Sequence, residues 1–132
     1  LEKAKKGIFP LGKMKSYTQN YIAAGGKGNL SDYYNTKYDG VRFQPGLAKN
    51  IVFAQHNLVT DGSFNEFNVI LCRNVMIYFN RELQNRVQTL LYESLAYLGF
   101  LGLGEKENLT FTSREADYES IDEKERLFRK VR

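Results

Sequence analysis

The feature that most limits the possible folds is a short apolar run, residues 68–72, that passes directly into the polar pair Arg73-Asn74. A continuous apolar run of this length is typical of a strand covered on both faces in a parallel sheet. Open α/β sheets bind their ligands outside the carboxyl ends of the strands. The polar pair therefore predicts a ligand site at the end of this strand.

A helix and a second strand are predicted directly after this run. Asn80 offers an N-cap. Apolar residues then recur at helical spacing on one stripe, and polar residues fall on the other side. The stripe contains Leu83, Val87, Leu90, Leu91, Leu95 and Leu98, and the outward positions are Gln84, Asn85, Arg86, Gln88 and Glu93. Gly99 is expected to end this helix and Phe100–Gly104 to form the next strand, which makes a strand–helix–strand crossover unit.

The other predicted elements complete an α/β fold with a mainly parallel sheet and an antiparallel C-terminal hairpin. Helices are expected over residues 1–6, closed by Gly7, over 14–24 and around 30–36. Strands are expected over residues 41–43, 51–54, 118–121 and 127–131, the last two forming the hairpin.

A second strand end also carries polar residues, because the predicted strand 51–54 is followed by His56 and Asn57. Consecutive parallel strands should lie side by side, so Asn57 would meet Arg73 and Asn74 in one crevice. Two simpler interpretations stay open. The first is that Asn57 closes a turn through its own backbone. The second is that Arg73 forms a surface ion pair.

Several classes of function are disfavoured by composition. The formal net charge is +4, and five lysines lie within residues 3–15. No nucleic-acid-binding motif accompanies them, so a solvated surface is the favoured reading and no nucleic-acid partner is expected. No apolar stretch approaches the ~20 residues of a membrane span, so no membrane insertion is expected.

The single cysteine and the single histidine argue against covalent or metal catalysis. Cys72 lies inside the apolar run, which favours a small buried hydrophobe over a nucleophile and fits a reduced, cytoplasmic compartment. His56 has no second histidine or carboxylate cluster to complete a metal site or a catalytic triad.

The segment "NEFNVILCRNVMIYFN", residues 65–80, closely resembles the signature of the CheR-type protein-glutamate methyltransferases of bacterial chemotaxis. Three other segments resemble the family in order and spacing: "LEKAKKGIF", "VFAQHNLV" and "YLGFLGLGEKENL", the last with a Gly-x-x-Glu turn. The resemblance implies the C-terminal portion of a Rossmann-like class I methyltransferase fold.

The resemblance also implies an activity, a cofactor and site residues. The activity is transfer of a methyl group from S-adenosyl-L-methionine, leaving S-adenosyl-L-homocysteine, to glutamates on the cytoplasmic helices of methyl-accepting chemotaxis receptors. Asn57 and Leu58 would hold the adenine, and Arg73 and Asn74 the amino-acid end. Arg73 and Tyr78 would act in catalysis, Tyr78 facing the same pocket if the helix begins early.

The chain opens without Met, and the parts of the family that precede this point are a glycine-containing loop, an acidic ribose-binding residue and an N-terminal helical domain. Residues 1–132 are therefore expected to be the C-terminal portion of the catalytic domain, weak or inactive alone.

Residues 38–50 occupy the place of the family's receptor-binding β-subdomain, in reduced form. Leu98-Gly99 stands where the family usually has Gly-Gly. An exposed sheet edge could lead to self-association.

Two other readings compete with the enzyme. One is a degenerate, non-catalytic methyltransferase fold that serves as an interaction module in bacterial signalling. The other is a small-molecule or nucleic-acid methyltransferase, which the absence of an Asn/Asp-Pro-Pro-Tyr motif disfavours. The presence of Asn57, Arg73, Asn74 and Tyr78 together favours the glutamate methyltransferase.

Overall fold

The predicted strands divide between two sheets in the structure, a computed structural model that describes residues 1–37, 40–63 and 65–132. The chain forms two units, residues 1–55 and residues 56–132. One sheet has three strands and the other has four. The strand-end residues of the sequence signature all lie in the second unit.

The first unit contains a small antiparallel sheet with strand order β1-β3-β2. Its elements are α1 (Glu2–Lys6), β1 (Ile8–Pro10), α2 (Met14–Ala23), β2 (Tyr34–Lys37) and β3 (Gly40–Phe43). Gly7 ends α1 in the left-handed conformation, with φ of 61°, and its N–H donates to the carbonyl of Ala4. Glycine adopts this conformation without the clash that a Cβ would cause.

The sequence predictions for this unit have mixed outcomes. The helices over 1–6 and 14–24 and the strand at 41–43 are confirmed. A 3-10 turn over Leu30–Tyr33 and strand β2 replace the predicted helix around 30–36. The predicted strand 51–54 is wrong, because these residues follow a 3-10 helix (Pro45–Asn50) as irregular chain and Val52 is 90% exposed. Residues 38 and 39, where the predicted insertion 38–50 begins, lie outside the described residues.

The second unit contains a mixed sheet with strand order β4-β5-β7-β6. Its elements are β4 (Phe67–Cys72), α3 (Arg81–Ser94), β5 (Leu95–Leu103), β6 (Tyr118–Asp122) and β7 (Leu127–Lys130). The strand–helix–strand unit and the C-terminal hairpin are confirmed, since β4 and β5 are parallel and β6 and β7 antiparallel. The expectation of a mainly parallel sheet is wrong for the described residues, because β5 also pairs antiparallel with β7.

Helix α3 begins as predicted and ends earlier than predicted. The side chain of Asn80 accepts a hydrogen bond from the N–H of Leu83 at 2.9 Å, which confirms the N-cap. The helix ends at Ser94, and Leu95 already begins β5. Extra residues bulge from β5 between its pairings with Phe67 and Val69, and Leu98 adopts a left-handed φ of 63° there. The prediction that Leu98 continues the helix is wrong.

Within the part of the chain that the structure describes, strand β4 is covered on one face only, so the predicted coverage on both faces is wrong there. Cys72 belongs to the buried core, and Ile70 packs against it. Val69 and Leu71 alternate with them and are 57% and 71% exposed. Among the described residues, β4 is the terminal strand of its sheet. No described helix has the length and apolar character needed to cross a bilayer.

Candidate functional site

The carboxyl ends of β4 and β5 meet at one edge of the sheet. The two strands are parallel, and Cys72 lies opposite Leu103 in the register. Arg73 and Gly104 are therefore the first residues beyond two adjacent strand ends. Ligands of α/β sheets bind at such an edge, so the topology supports the predicted place of the site.

A buried carboxylate joins the two loops that follow these strands. Glu107 is 5% exposed and accepts four backbone hydrogen bonds. Its Oε1 accepts from the N–H groups of Val75 and Met76 at 2.9 and 2.7 Å. Its Oε2 accepts from those of Asn74 and Gly104 at 2.8 and 2.7 Å. One side chain thus satisfies three consecutive amides after β4 and one after β5.

The charge on Glu107 is stabilised by these amides. Burial alone raises the pKa of the carboxyl group, but the hydrogen bonds from Gly104, Asn74, Met76 and Val75 outweigh it, and the net pKa is lowered. Hydrogen bonds to the charged form of a carboxyl group favour that form. Glu107 is therefore ionised at neutral pH.

Gly104 is required by the close approach of the two loops. A Cβ built on Gly104 would lie 2.5 Å from Oδ1 of Asn74, 2.7 Å from Oε2 of Glu107 and 2.8 Å from the backbone nitrogen of Asn74. Side chains cannot approach so closely, so any residue other than glycine would separate the loops. Asn74 itself has a left-handed φ of 60°, a conformation that asparagine tolerates better than most residues.

Helix α3 holds the same segment from a second direction. The side-chain amide of Gln84 donates to the carbonyls of Met76 and Phe79 at 3.0 and 3.1 Å. The amide of Gln88 donates to the sulfur of Met76 at 3.2 Å. Gln88 is 1% exposed, so the prediction that it faces outward is wrong. Residues 73–79, the 73–79 segment, are thus anchored through their backbone by Glu107 and Gln84, and through the side chain of Met76 by Gln88.

The side chains of this segment that were predicted to face a ligand are exposed. Arg73 and Asn74 are exposed, and the guanidinium of Arg73 makes no hydrogen bond or ion pair within the described ranges. The surface ion pair left open for Arg73 is therefore not found there. Tyr78 is 80% exposed and lies in a 3-10 turn (Met76–Tyr78). The condition under which Tyr78 would face the same pocket, an early start of the helix, is not met, since α3 begins at Arg81.

Asn57 lies in a turn that it closes itself. Its Oδ1 accepts from the N–H of Val59 at 3.0 Å, and its own N–H donates to Oδ2 of Asp61 at 2.8 Å. The backbone hydrogen bond from Asn57 and the side-chain bond from Thr60 lower the pKa of Asp61. The simpler interpretation of Asn57 is thus confirmed. The side-chain amide nitrogen of Asn57 takes no part in these hydrogen bonds and can still donate to a ligand.

Leu58 and His56 flank this asparagine in different environments. Leu58 packs against the core of the second unit, whereas Nε2 of His56 lies 3.2 Å from the carbonyl oxygen of Gly62. The parallel strand expected to bring Asn57 beside Arg73 is absent from residues 51–54. The convergence of Asn57 with Arg73 and Asn74 therefore stays a prediction.

Cys72 has the properties of a core residue. It is 7% exposed, and burial, with a smaller contribution from the charge of Glu107, raises the pKa of its thiol to about 11. A thiol with this pKa is protonated at neutral pH and is a poor nucleophile. The sequence-based reading of Cys72 as a buried hydrophobe is confirmed.

Sequence reasoning missed Glu107 as a site residue. Its signal was present in the Gly-x-x-Glu turn, residues 104–107, which was noted only as a point of resemblance. Periodicity could not separate Glu107 from Glu105, two residues earlier in the same turn. Glu105 is exposed and Glu107 is buried, and this difference depends on the loop after β4.

Comparisons with known proteins agree with the sequence signature. The family model described as CheR methyltransferase, SAM binding domain, matches residues 1–126. A methyltransferase named Cher3 from Pseudomonas putida is 41% identical over 130 residues, which cover 98% of this chain and 48% of that protein. The chemotaxis protein methyltransferase of Salmonella typhimurium is 32% identical over 123 residues, which cover 87% of this chain and 39% of that protein. The chain spans about half, or less, of the length of these relatives.

Proposed function

This chain belongs to the family of CheR methyltransferases, since the model of their SAM-binding domain matches residues 1–126, and from this premise we propose that it forms part of a protein-glutamate O-methyltransferase. The cofactor is S-adenosyl-L-methionine. The substrates are glutamate carboxylates on the cytoplasmic helices of chemotaxis receptors. The enzyme works in the cytoplasm, and residues 1–132 supply the C-terminal portion of its catalytic domain.

The observation that carries this proposal is the exposed guanidinium of Arg73 at the end of β4. Its backbone neighbours are fixed by Glu107, while its side chain has no partner among the residues that the structure describes. A planar guanidinium can bind a carboxylate through two parallel hydrogen bonds. Arg73 therefore suits the carboxylate of the cofactor's amino-acid end, with Asn74 beside it.

Asn57 and Leu58 suit the adenine end of the cofactor. The side-chain amide nitrogen of Asn57 can donate to a ring nitrogen of the base, while the side-chain oxygen stays in the local turn. Leu58 offers an apolar side chain that is already anchored on the core. The donor set present in the chain thus fits both ends of S-adenosyl-L-methionine.

The chemistry needs little acid–base assistance from the protein. S-adenosyl-L-methionine supplies a methyl group that is activated by a positively charged sulfur. A glutamate side chain has a pKa of about 4.3 and is already an ionised nucleophile at neutral pH. The residues of this chain therefore align the reactants and exclude water. Tyr78 has an exposed aromatic ring, and such a ring would favour the positively charged sulfur of the cofactor.

A second copy of the protein is the proposed partner of the β4 edge. Val69 and Leu71 are exposed on a strand that has one neighbour among the described residues. Exposed apolar edge strands pair readily with other strands. Sedimentation of this chain should show a dimer that Leu71→Lys dissociates. A monomer at all concentrations would remove self-association from the proposal.

Calorimetry with S-adenosyl-L-homocysteine tests the proposed activity. The full-length protein should bind it, and this chain alone should bind it weakly or not at all. Arg73→Ala should weaken binding by the full-length protein at least about 10-fold, because a hydrogen bond to a charged group contributes about 1.5–3 kcal/mol. Arg86→Ala is the matched control, since Arg86 is an exposed arginine on α3.

The outcomes separate the competing readings. Absence of binding by the full-length protein would support the non-catalytic interaction module. If the Arg73→Ala and Arg86→Ala variants bind the probe equally strongly, Arg73 is not part of the site. Methyl transfer to receptor glutamates, abolished by Arg73→Ala in a folded protein, would support the enzyme.

A further inference from the structure

We propose that Glu107 is a positioning residue for methyl transfer: its buried carboxylate fixes the backbone of the 73–79 segment so that Arg73 and Asn74 meet the cofactor. This inference rests on the proposed function. It assigns to Glu107 no contact with substrate or cofactor, because the carboxylate is enclosed by backbone amides.

The side chains that would bind the cofactor do not anchor themselves. Arg73 and Asn74 are exposed, and the described structure shows no hydrogen bond from the Arg73 guanidinium. Their position is therefore set by the backbone that carries them. That backbone is held at the three consecutive N–H groups of residues 74–76, immediately after Arg73, by one carboxylate.

The hydrogen bonds of Glu107 also fix the segment relative to the sheet. The fourth amide, from Gly104, follows β5, so the carboxylate spans both strand ends. Gln84 holds the far end of the segment through the carbonyls of Met76 and Phe79. A binding group must be held within a fraction of an ångström of its productive position, and supporting hydrogen bonds do this.

The positioning role of Glu107 can be tested by replacing one oxygen of its carboxylate, as in the substitution Glu107→Gln. Each oxygen of Glu107 accepts two N–H groups. In Glu107→Gln one oxygen becomes an NH₂ group, which donates and cannot accept. Two of the four amides then face a donor, and the loops must shift while side-chain size is conserved.

A merely structural role is separated from a positioning role by a double-mutant cycle. If Glu107 acts through Arg73, the loss of cofactor affinity in Glu107→Gln should largely disappear when Arg73 is already alanine. Independent effects would instead be additive. Glu105→Gln is the matched control, because Glu105 lies in the same turn and is exposed.

The experiment uses the full-length protein and its folded variants, with S-adenosyl-L-homocysteine as the probe and methyl transfer as the second readout. Glu107→Gln should lower kcat/KM by about 100-fold, as expected for a displacement of about 1 Å. It should weaken probe binding about 10-fold or more in the parent and by less than about 3-fold in the Arg73→Ala background. Glu105→Gln should change neither value by more than about 2-fold.

The outcomes distinguish this inference from the proposed function. No probe binding by the unsubstituted protein overturns both. The inference alone is overturned if the unsubstituted protein binds the probe and Glu107→Gln leaves this binding unchanged. It is also overturned if the losses of affinity from Glu107→Gln and Arg73→Ala are additive. If Glu107→Gln does not fold, Gln84→Ala replaces it in the same cycle. Gln84→Ala should weaken probe binding about 5-fold or more, and this loss should not add to the loss caused by Arg73→Ala. If the two losses are additive, or if Gln84→Ala has no effect, the inference is overturned.

Discussion

The 73–79 segment and the turn at residues 57–61 both follow short apolar stretches and both carry an asparagine, yet they are held in opposite ways. The 73–79 segment depends on Glu107, which lies 31 to 33 residues along the chain from the three amides of the segment that it binds. The turn at 57–61 is closed by hydrogen bonds within five residues, between Asn57, Val59 and Asp61.

This difference determines how each region can position a ligand. A turn closed by its own side chains keeps its shape wherever the surrounding chain places it. The 73–79 segment has its shape only when β4, β5 and α3 are assembled, because its hydrogen-bond partners are Glu107, beyond the end of β5, and Gln84, on α3. The position of Arg73 therefore depends on the folded unit, whereas the conformation around Asn57 depends on the local sequence.

The largest effect should follow from removing the carboxylate of Glu107. Glu107→Ala leaves four backbone amides without their acceptor. Each buried unsatisfied group costs about 1–3 kcal/mol, so the free energy of unfolding should fall by about 3 kcal/mol or more. Urea unfolding of this chain measures the change. Glu105→Ala, its exposed control, should stay within about 0.5 kcal/mol. A loss below about 1 kcal/mol for Glu107→Ala would show that the segment is held by other contacts.

A second large effect is expected at Gly104. Gly104→Ala places a methyl group 2.5 Å from Oδ1 of Asn74 and 2.8 Å from its backbone nitrogen, so the two loops must separate. Overpacking of this kind costs about 1–3 kcal/mol. The matched control is Gly62→Ala, near the local turn, where a Cβ meets no atom within 4 Å. Equal unfolding midpoints for the two variants would contradict the close approach at Gly104.

Local signals in the sequence predicted much of the fold. Asn80 as an N-cap, Gly7 as a helix end and the C-terminal hairpin were each recognised from residues a few positions apart. The turn at Asn57 was also foreseen as an alternative, because an asparagine can close it without a distant partner. These elements are decided by short-range chemistry, which the sequence displays directly.

The failures share a dependence on distant neighbours. The spacing of Leu91, Leu95 and Leu98 fits a helix, but the pairing of Leu95 with Phe67 draws it into β5. The apolar run of β4 predicted cover on both faces, although cover depends on which elements pack there. In the sequence Glu107 does not differ from a surface carboxylate, because its binding partners lie in the distant loop after β4. Periodicity carries no information about such contacts.

The pH dependence of stability offers a smaller test of the comparison. The pKa of Glu107 is lowered in the folded state from its ordinary value of 4.5. Its contribution to stability is therefore present above that value and is lost as the pH falls through the folded pKa. Thermal unfolding from pH 7 to pH 3 should show a smaller acid-induced fall of Tm in Glu107→Gln than in the parent.

The control for this titration lies in the local turn. The pKa of Asp61 is also lowered, through hydrogen bonds from Asn57 and Thr60. Its carboxylate is on the surface, where solvent screens its interactions. Asp61→Asn should therefore leave the acid-induced fall of Tm close to that of the parent. If Asp61→Asn showed a smaller acid-induced fall of Tm than Glu107→Gln, Asp61 rather than Glu107 would be the carboxylate that contributes more to the pH dependence of stability.

The smallest effect should come from the local turn itself. Asn57→Ala removes one exposed hydrogen bond, to the N–H of Val59, which water can replace. The free energy of unfolding should fall by about 0.5–1 kcal/mol in urea unfolding of this chain. Asn57→Ser keeps an acceptor oxygen and should recover part of the loss, because serine closes such turns more weakly. A loss from Asn57→Ala that exceeds the loss from Glu107→Ala would mean that the 57–61 turn, rather than the 73–79 segment, depends on the assembled unit.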